Sequence, residues 1–196
     1  MGREWERKYA ASKDVQQAIA ADPQIRALTA ETTVFAMESR YFDTPSGTLS
    51  AKMQTLRLRR ENGRGVVTFK TPMADGVRGE WEYEAETLDG AAEKLAALGA
   101  PVEPWSDLIE VCGASFTRTA ITLTFPDGAK AELALDLGVL VGGGKQMPLA
   151  EVEVEHKGGG LSTVEAFCVL LADKYHLQAE SKSKYLRARL LKEGTL

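Results

Sequence analysis

Histidine and cysteine are almost missing from this sequence, with two of each among 196 residues. His156, His176, Cys112 and Cys168 are scattered and form no CxxC pair, so they make no ordinary structural zinc site. Two cysteines in apolar surroundings read as buried free thiols of a reducing compartment. No uninterrupted run of about 18 apolar residues occurs, so no segment is expected to span a bilayer. The first residues, MGREWERKYA, lack the apolar stretch of a signal peptide, and Glu6 stands where a myristoylation pattern asks for Ser or Thr. A cytoplasmic protein without membrane association is expected. The net charge of −4 gives no general reason to expect nucleic acid as a partner. No internal repeat and no low-complexity linker divides the chain, and 1–196 reads as a single domain long enough to bury a core.

What the chain does have is charge at a spacing of two. Glu4, Glu6 and Lys8 alternate with Trp5 and Arg7; Arg57 and Arg59 alternate with Leu56 and Leu58. Arg78, Glu80, Glu82 and Glu84 surround Gly79, Trp81 and Tyr83, and Glu151, Glu153 and Glu155 surround Val152 and Val154. Residues i, i+2 and i+4 of a strand share a face, so each segment has one charged and one apolar face. Strands are expected over 3–10, 32–42, 54–61, 65–71, 78–87, 115–125, 129–138 and 148–157. Turns are expected at Gly63-Arg64-Gly65, Pro126-Asp127-Gly128 and Gly142-Gly143-Gly144. Helices are expected over 12–21 behind Ser12, 89–98 from Asp89 to a Gly99 stop, and 106–112 between Ser106 and Gly113. Two more are expected over 163–175, behind a Ser162/Glu165 capping box, and over 183–192.

This order gives an α+β fold. Eight antiparallel strands with two distinct faces suit a closed barrel, which leaves no exposed edge. The charged rows are grouped by sign, whereas a merely solvated surface intersperses signs. Amphipathic helices also need an apolar surface, which the strands supply if their apolar faces point outward. The expected architecture is therefore a β-barrel tunnel with a charged lumen and helices packed outside. Carboxylates at strand spacing, with no His or Cys among them, form an oxygen donor set for hard cations such as Mg²⁺ or Mn²⁺. Arg and Lys in the same cavity clamp anionic oxygens. Metal and basic clamp together are the equipment of phosphoryl transfer. Gly142-Gly143-Gly144-Lys145 is a poor P-loop, because Val139 replaces the first glycine and Gln146 the Ser or Thr.

These segments resemble the CYTH domains, or triphosphate tunnel metalloenzymes. Glu4 to Lys8 is similar to the family's ExExK signature, Tyr41-Phe42-Asp43-Thr44-Pro45 to its YFDTP segment, and Leu56 to Arg60 to its LRLRR strand. Thr68-Phe69-Lys70 resembles T-x-K, Arg78 to Glu84 R-x-E-x-E, Leu135 to Gly138 the D-x-G turn, Glu151 to Glu155 ExExE, and Ser183-Lys184-Tyr185 the terminal SKY. The resemblance implies an eight-stranded tunnel that binds a triphosphate with divalent metal. By that resemblance Glu4, Glu6, Glu153 and Glu155 would hold Mg²⁺ or Mn²⁺. Lys8, Arg57, Arg59, Lys70, Arg78, Arg118, Lys184 and, one helical turn on, Arg187 would bind phosphate. Glu80 and Glu82 would orient bases or help ligate a second metal, and Asp136 would orient an arginine. The expected catalytic set is Glu4, Glu6, Lys8, Glu82 and Asp136. Glu38, Arg40, Glu84, Lys130 and Glu132 receive no role. The expected activity is release of a terminal phosphate from a small-molecule substrate, inorganic triphosphate, by a monomer or homodimer. Thiamine or nucleoside triphosphate hydrolysis, a class IV-type adenylyl cyclase and a non-catalytic polyphosphate-binding module are the alternatives.

Overall fold

The alternating segments pair into one antiparallel sheet. The computed structural model describes residues 2–3, 5–72, 78–105 and 107–195, without the side chains of 2, 3 and 78. The strands are β1 (Gly2–Arg3), β2 (Glu6–Ala10), β3 (Thr29–Asp43), β4 (Thr55–Glu61), β5 (Arg64–Pro72) and β6 (Arg78–Glu84). They continue with β7 (Ile109–Thr124), β8 (Lys130–Gly142), β9 (Lys145–Gly158) and β10 (Gln178–Ala179). Their order is β1-β6-β5-β4-β3-β7-β8-β9-β2-β10. β1 pairs with β6 while β2 pairs with β9, so one N-terminal segment reaches both ends of the order. Among the described residues the sheet is not closed by a continuous ladder of hydrogen bonds; β1 is one edge and β10, paired outside β2, is the other.

Two connections are two-residue hairpins with both central residues left-handed, the geometry that matches strand twist. Asn62-Gly63 (φ 49° and 88°) links β4 to β5, and Gly143-Gly144 (φ 59° and 73°) links β8 to β9. The Pro126-Asp127-Gly128 turn joins β7 to β8 as expected. The helices are α1 (Lys13–Ala21), α2 (Pro23–Leu28), α3 (Thr48–Ala51), α4 (Ala91–Ala97), α5 (Leu161–Tyr175) and α6 (Lys184–Glu193). Ser12 and Ser183 cap α1 and α6 by accepting from the Val15 and Leu186 amides.

Three expectations are corrected. The helix over 106–112 does not form, because β7 starts at Ile109 and Glu110 to Cys112 pair with Phe42 and Tyr41 of β3. Gly113 is not a helix stop; a Cβ there would lie 2.9 Å from the Ser39 carbonyl oxygen, so it serves close strand approach. Ser106 lies outside the described residues. The Ser162/Glu165 capping box is also absent, since α5 begins at Leu161 behind Gly160, and Thr163 donates instead to Asp127 in the β7–β8 turn. α2 was not expected, although Asp22 followed by Pro23 is a legible cap-and-first-turn signal.

Apolar strand faces carry the helices. Leu133, Leu135, Val152 and Val154 pack with Ile19 of α1, Ile25 of α2 and Val164 and Leu171 of α5. Leu56, Leu58, Val67, Phe69 and Trp81 pack with Leu49 of α3 and Leu95 of α4. Asp43 fixes the turn into α3 by accepting from the Thr44, Leu49 and Ser50 amides at 2.7–3.0 Å. α6 is placed differently. Its Ala188 packs with Ala114, Phe116, Leu140 and Leu149, which share the strand face of Arg118, Asp136 and Glu151. A Cβ on Gly142 would fall 2.1 Å from the Ala188 carbonyl oxygen, so glycine is required for this approach. Among the described residues no helix is long and apolar enough to cross a membrane.

Asp22 fastens the outer helices together. Its carboxylate accepts from the Gln24 amide (2.9 Å), the Tyr175 hydroxyl (2.5 Å) and Lys174 Nζ (2.6 Å). Lys174 and Tyr175 hold its pKa down at about 2. The folded-state pKa is depressed, so this stabilisation is complete above the ordinary value of 3.8 and is lost as pH falls towards 2. Asp22→Ala should cost about 1–3 kcal/mol in urea unfolding at pH 7. The loss relative to the parent should shrink between pH 4 and pH 2.

Candidate functional site

Inward-facing side chains of the strands line a cavity of about 310 Å³, joined by Ser183, Lys184 and Tyr185 at the start of α6. Strand register sorts the charges into rows. Glu6 of β2 lies opposite Glu155 of β9, which lies opposite Glu132 of β8. Lys8 lies opposite Glu153. On the other wall Arg57, Thr68 and Glu82 are opposite one another across β4, β5 and β6, and Lys70 is opposite Glu80 at 3.1 Å.

The most buried part of the wall is an ion-pair cluster. Asp136 and Glu151 are fully buried. Arg118 donates through Nε and Nη2 to both oxygens of Asp136, at 2.8 and 2.7 Å, and reaches Glu153 at 2.5 Å. Lys184 Nζ contacts Asp136 at 2.8 Å, Glu153 at 2.9 Å and Glu151. Arg187 binds Glu151 and lies 3.8 Å from Glu180. Burial opposes the Lys184 charge, yet Glu153, Asp136 and Glu151 raise its pKa far above the usual lysine value. Burial likewise opposes ionisation of Glu153, but Lys184, Arg118 and Lys8 hold its carboxyl well below the usual range.

Arg57 and Arg59, on the other wall, share one feature with Arg187. Each guanidinium has a buried Nε without a hydrogen-bond partner among the described residues. Burial, and then the Arg57 charge, lower the Arg59 pKa to about 10, although Glu61 sits 2.6 Å away. Neighbouring guanidinia with unspent donors are chemically suited to anionic oxygens.

The structure brings Glu6, Lys8, Arg57, Arg59, Lys70, Glu82, Arg118, Glu153, Glu155 and Lys184 onto one cavity. Asp136 stands behind Arg118. Arg187 does not line the cavity; its guanidinium is turned to Glu151, which corrects its expected phosphate contact. Glu4 and the side chain of Arg78 lie outside the described residues. Among residues without an expected role, Arg40 pairs with Glu110 and Glu84 with Arg64 near the surface, and Glu38 and Lys130 are exposed. Glu132 does line the cavity, as do Glu61, Thr68 and Lys157. Each shares parity with a residue already placed there: Glu132 with Asp136, Glu61 with Arg59, Thr68 with Lys70, and Lys157 with Glu155. Extending the period by one step would have found Glu61, Thr68 and Lys157, and by two steps Glu132. Phe35, Met37, Tyr41, Phe116 and Tyr185 also reach the cavity from strands far apart in sequence, a grouping that spacing along the chain does not reveal.

The result is a charged cavity in an antiparallel sheet, with basic and acidic side chains on both walls. The chain belongs to the CYTH domain family, whose model matches residues 2–188. It is 29% identical over 157 residues to an inorganic triphosphatase of Haemophilus influenzae, which covers 77% of this chain and 44% of that protein. The chain thus spans less than half the length of that relative. Its fold is similar to that of a Hippeastrum adenylyl cyclase homologue described as having a dominant triphosphatase activity. That match has a TM-score of 0.61 and 15% identity, and covers 100% of this chain and 97% of that one. A Pyrococcus horikoshii OT3 protein matches with a TM-score of 0.59 and 22% identity, over 97% and 99% of the two chains.

Arg187→Met would leave buried Glu151 with one cation fewer. The expected result is a loss of about 3 kcal/mol in chemical unfolding, because removing one partner strands a buried charge.

Proposed function

We propose that this chain is a metal-dependent triphosphatase that removes the terminal phosphate of inorganic triphosphate. The observation that carries the reading is the pair of neighbouring, half-buried guanidinia of Arg57 and Arg59 on the cavity wall, with Nε donors that no described residue satisfies. Lys70 and Lys8 line the same cavity, so several phosphate oxygens can be bound at once. The name of the Haemophilus influenzae relative supports the same substrate.

The donor set fits a divalent ion. Glu6, Glu155 and Glu132 stand side by side on neighbouring strands, and like charges directly opposite are unfavourable, so a divalent ion would ease a row that Lys157 and Arg118 touch at Glu155 and Glu132. All their donor atoms are oxygen, which suits Mg²⁺ or Mn²⁺. Asp136, Glu151 and Glu153 also bring carboxylate oxygens within 4.8 Å of one another. Arg118, Lys184 and Arg187 already crowd that cluster, whereas Lys157 meets Glu155 at 2.6 Å and Arg118 lies 3.8 Å from Glu132; Glu6 and Glu155 would hold the ion, with Glu153 at the junction of metal and phosphate. When bound, the ion would polarise phosphate oxygens and lower the pKa of water for in-line attack. Arg57, Arg59 and Lys70 bind the chain and stabilise charge as the terminal bridge breaks. Asp136 fixes the plane of Arg118 through two hydrogen bonds, so that donor needs no reorganisation when charge develops.

Phosphate release should be measured from tripolyphosphate, ATP and thiamine triphosphate with Mg²⁺ or Mn²⁺. Tripolyphosphate should be the best substrate, and a chelator should stop turnover. Glu6→Gln should lower metal-dependent turnover by at least about 100-fold. Tight tripolyphosphate binding without turnover on any substrate would instead establish a binding module.

A further inference from the structure

Thr68 stands between two charged residues of the tunnel wall. It lies on β5 directly opposite Arg57 of β4 and Glu82 of β6, and only 1% of it is exposed. Its Oγ1 accepts from Arg57 Nη2 at 3.0 Å and donates to Glu82 Oε1 at 2.7 Å. A hydroxyl has a single proton to give. Committing it to Glu82 leaves a lone pair for Arg57, so the bridge has one direction, from cation through hydroxyl to carboxylate. Arg57 and Glu82 themselves are 3.5 Å apart, beyond a good charge-assisted hydrogen bond. The side chains are therefore near enough to collapse into a direct pair and are kept from it by the hydroxyl between them.

We propose that Thr68 is a positioning residue that satisfies Glu82 and holds Arg57 off it, leaving the guanidinium open to a phosphate oxygen. The inference rests on the triphosphatase reading of the tunnel and adds what keeps its basic clamp available. Valine at this position keeps the β-branched shape that suits a strand and removes the hydroxyl alone. Without the hydroxyl, Glu82 lacks its donor and draws Arg57 into a bidentate pair. Phosphate binding must then break that pair, which weakens ground state and transition state alike and raises KM more than it lowers kcat.

The test compares Thr68→Val and Thr68→Ser in tripolyphosphate kinetics and in calorimetric binding, with thermal unfolding recorded alongside. Thr68→Val should raise KM and Kd by about tenfold with kcat within about twofold of the parent, and Thr68→Ser should restore both to within about threefold. In an Arg57→Gln background, Thr68→Val should have no further effect, because its target is gone. Unchanged affinity in Thr68→Val, an equal loss in the Arg57→Gln background, or no rescue by serine overturns the proposal. If the valine variant does not fold, Thr68→Ala takes its place with the same expected pattern. A parent protein that neither binds nor hydrolyses tripolyphosphate defeats the triphosphatase reading separately. Thr68 is then judged by NMR of the Arg57 guanidinium, whose signals should shift in Thr68→Val and return in Thr68→Ser. Signals identical to the parent's in Thr68→Val overturn it.

Discussion

The rest of the structure depends on a cost: charge taken out of water is expensive unless it is paired and hydrogen-bonded. Asp136 and Glu151 have no exposure at all, and Arg118, Lys184 and Arg187 surround them and their neighbour Glu153. None of these groups can leave without stranding another. Because Lys184 and Arg187 belong to α6 while the carboxylates belong to β8 and β9, the same pairing draws a helix onto the charged face of the sheet. Ala188, Leu140 and Leu149 then seal the contact, and Gly142 makes the approach possible.

That anchoring divides the lumen into two kinds of charge. Deep in the β8–β9 wall, cations and anions are ion-paired with one another and act as scaffold. On the β4–β6 wall Arg57 and Arg59 each keep a buried Nε that no described residue accepts from, and along the Glu6–Glu155–Glu132 row carboxylates face one another across neighbouring strands. Arg59, with its lowered pKa and unpartnered Nε, belongs to this second kind. An anionic chain with its metal would suit both regions together. Thr68 shows how such availability is maintained, by one hydroxyl placed where a direct ion pair would otherwise close.

Much of this was legible before any coordinates. The period of two gave strand faces, and the grouping of signs gave a charged interior with helices on the apolar backs. Local signals that agreed with tertiary pairing also held, as at Ser12 and the Pro-Asp-Gly turn. The failures came where tertiary pairing overrode local signals. Ser106 and Gly113 look like helix ends, but Ile109 to Cys112 gain more by pairing with β3. Glu151, Glu153 and Glu155 read as one uniform row, yet depth along the tunnel makes Glu151 an anchor for Arg187 and leaves Glu155 at the acidic row. Arg187 sits one turn from Lys184, which places it on the right side of α6 but does not tell whether it meets ligand or wall. Nothing in the composition of α6 distinguishes a helix outside a barrel from one seated on its inner face.

The central claim is that the two unfilled regions of the lumen are complementary to a metal-bound triphosphate. A crystal soaked with Mn²⁺ and a non-hydrolysable triphosphate analogue tests it most directly through anomalous scattering. The account predicts a manganese peak beside Glu6 and Glu155, with phosphate density along Arg57, Arg59 and Lys70. A manganese peak within the Asp136–Glu151–Glu153 cluster, or phosphate density only outside the tunnel, would contradict it.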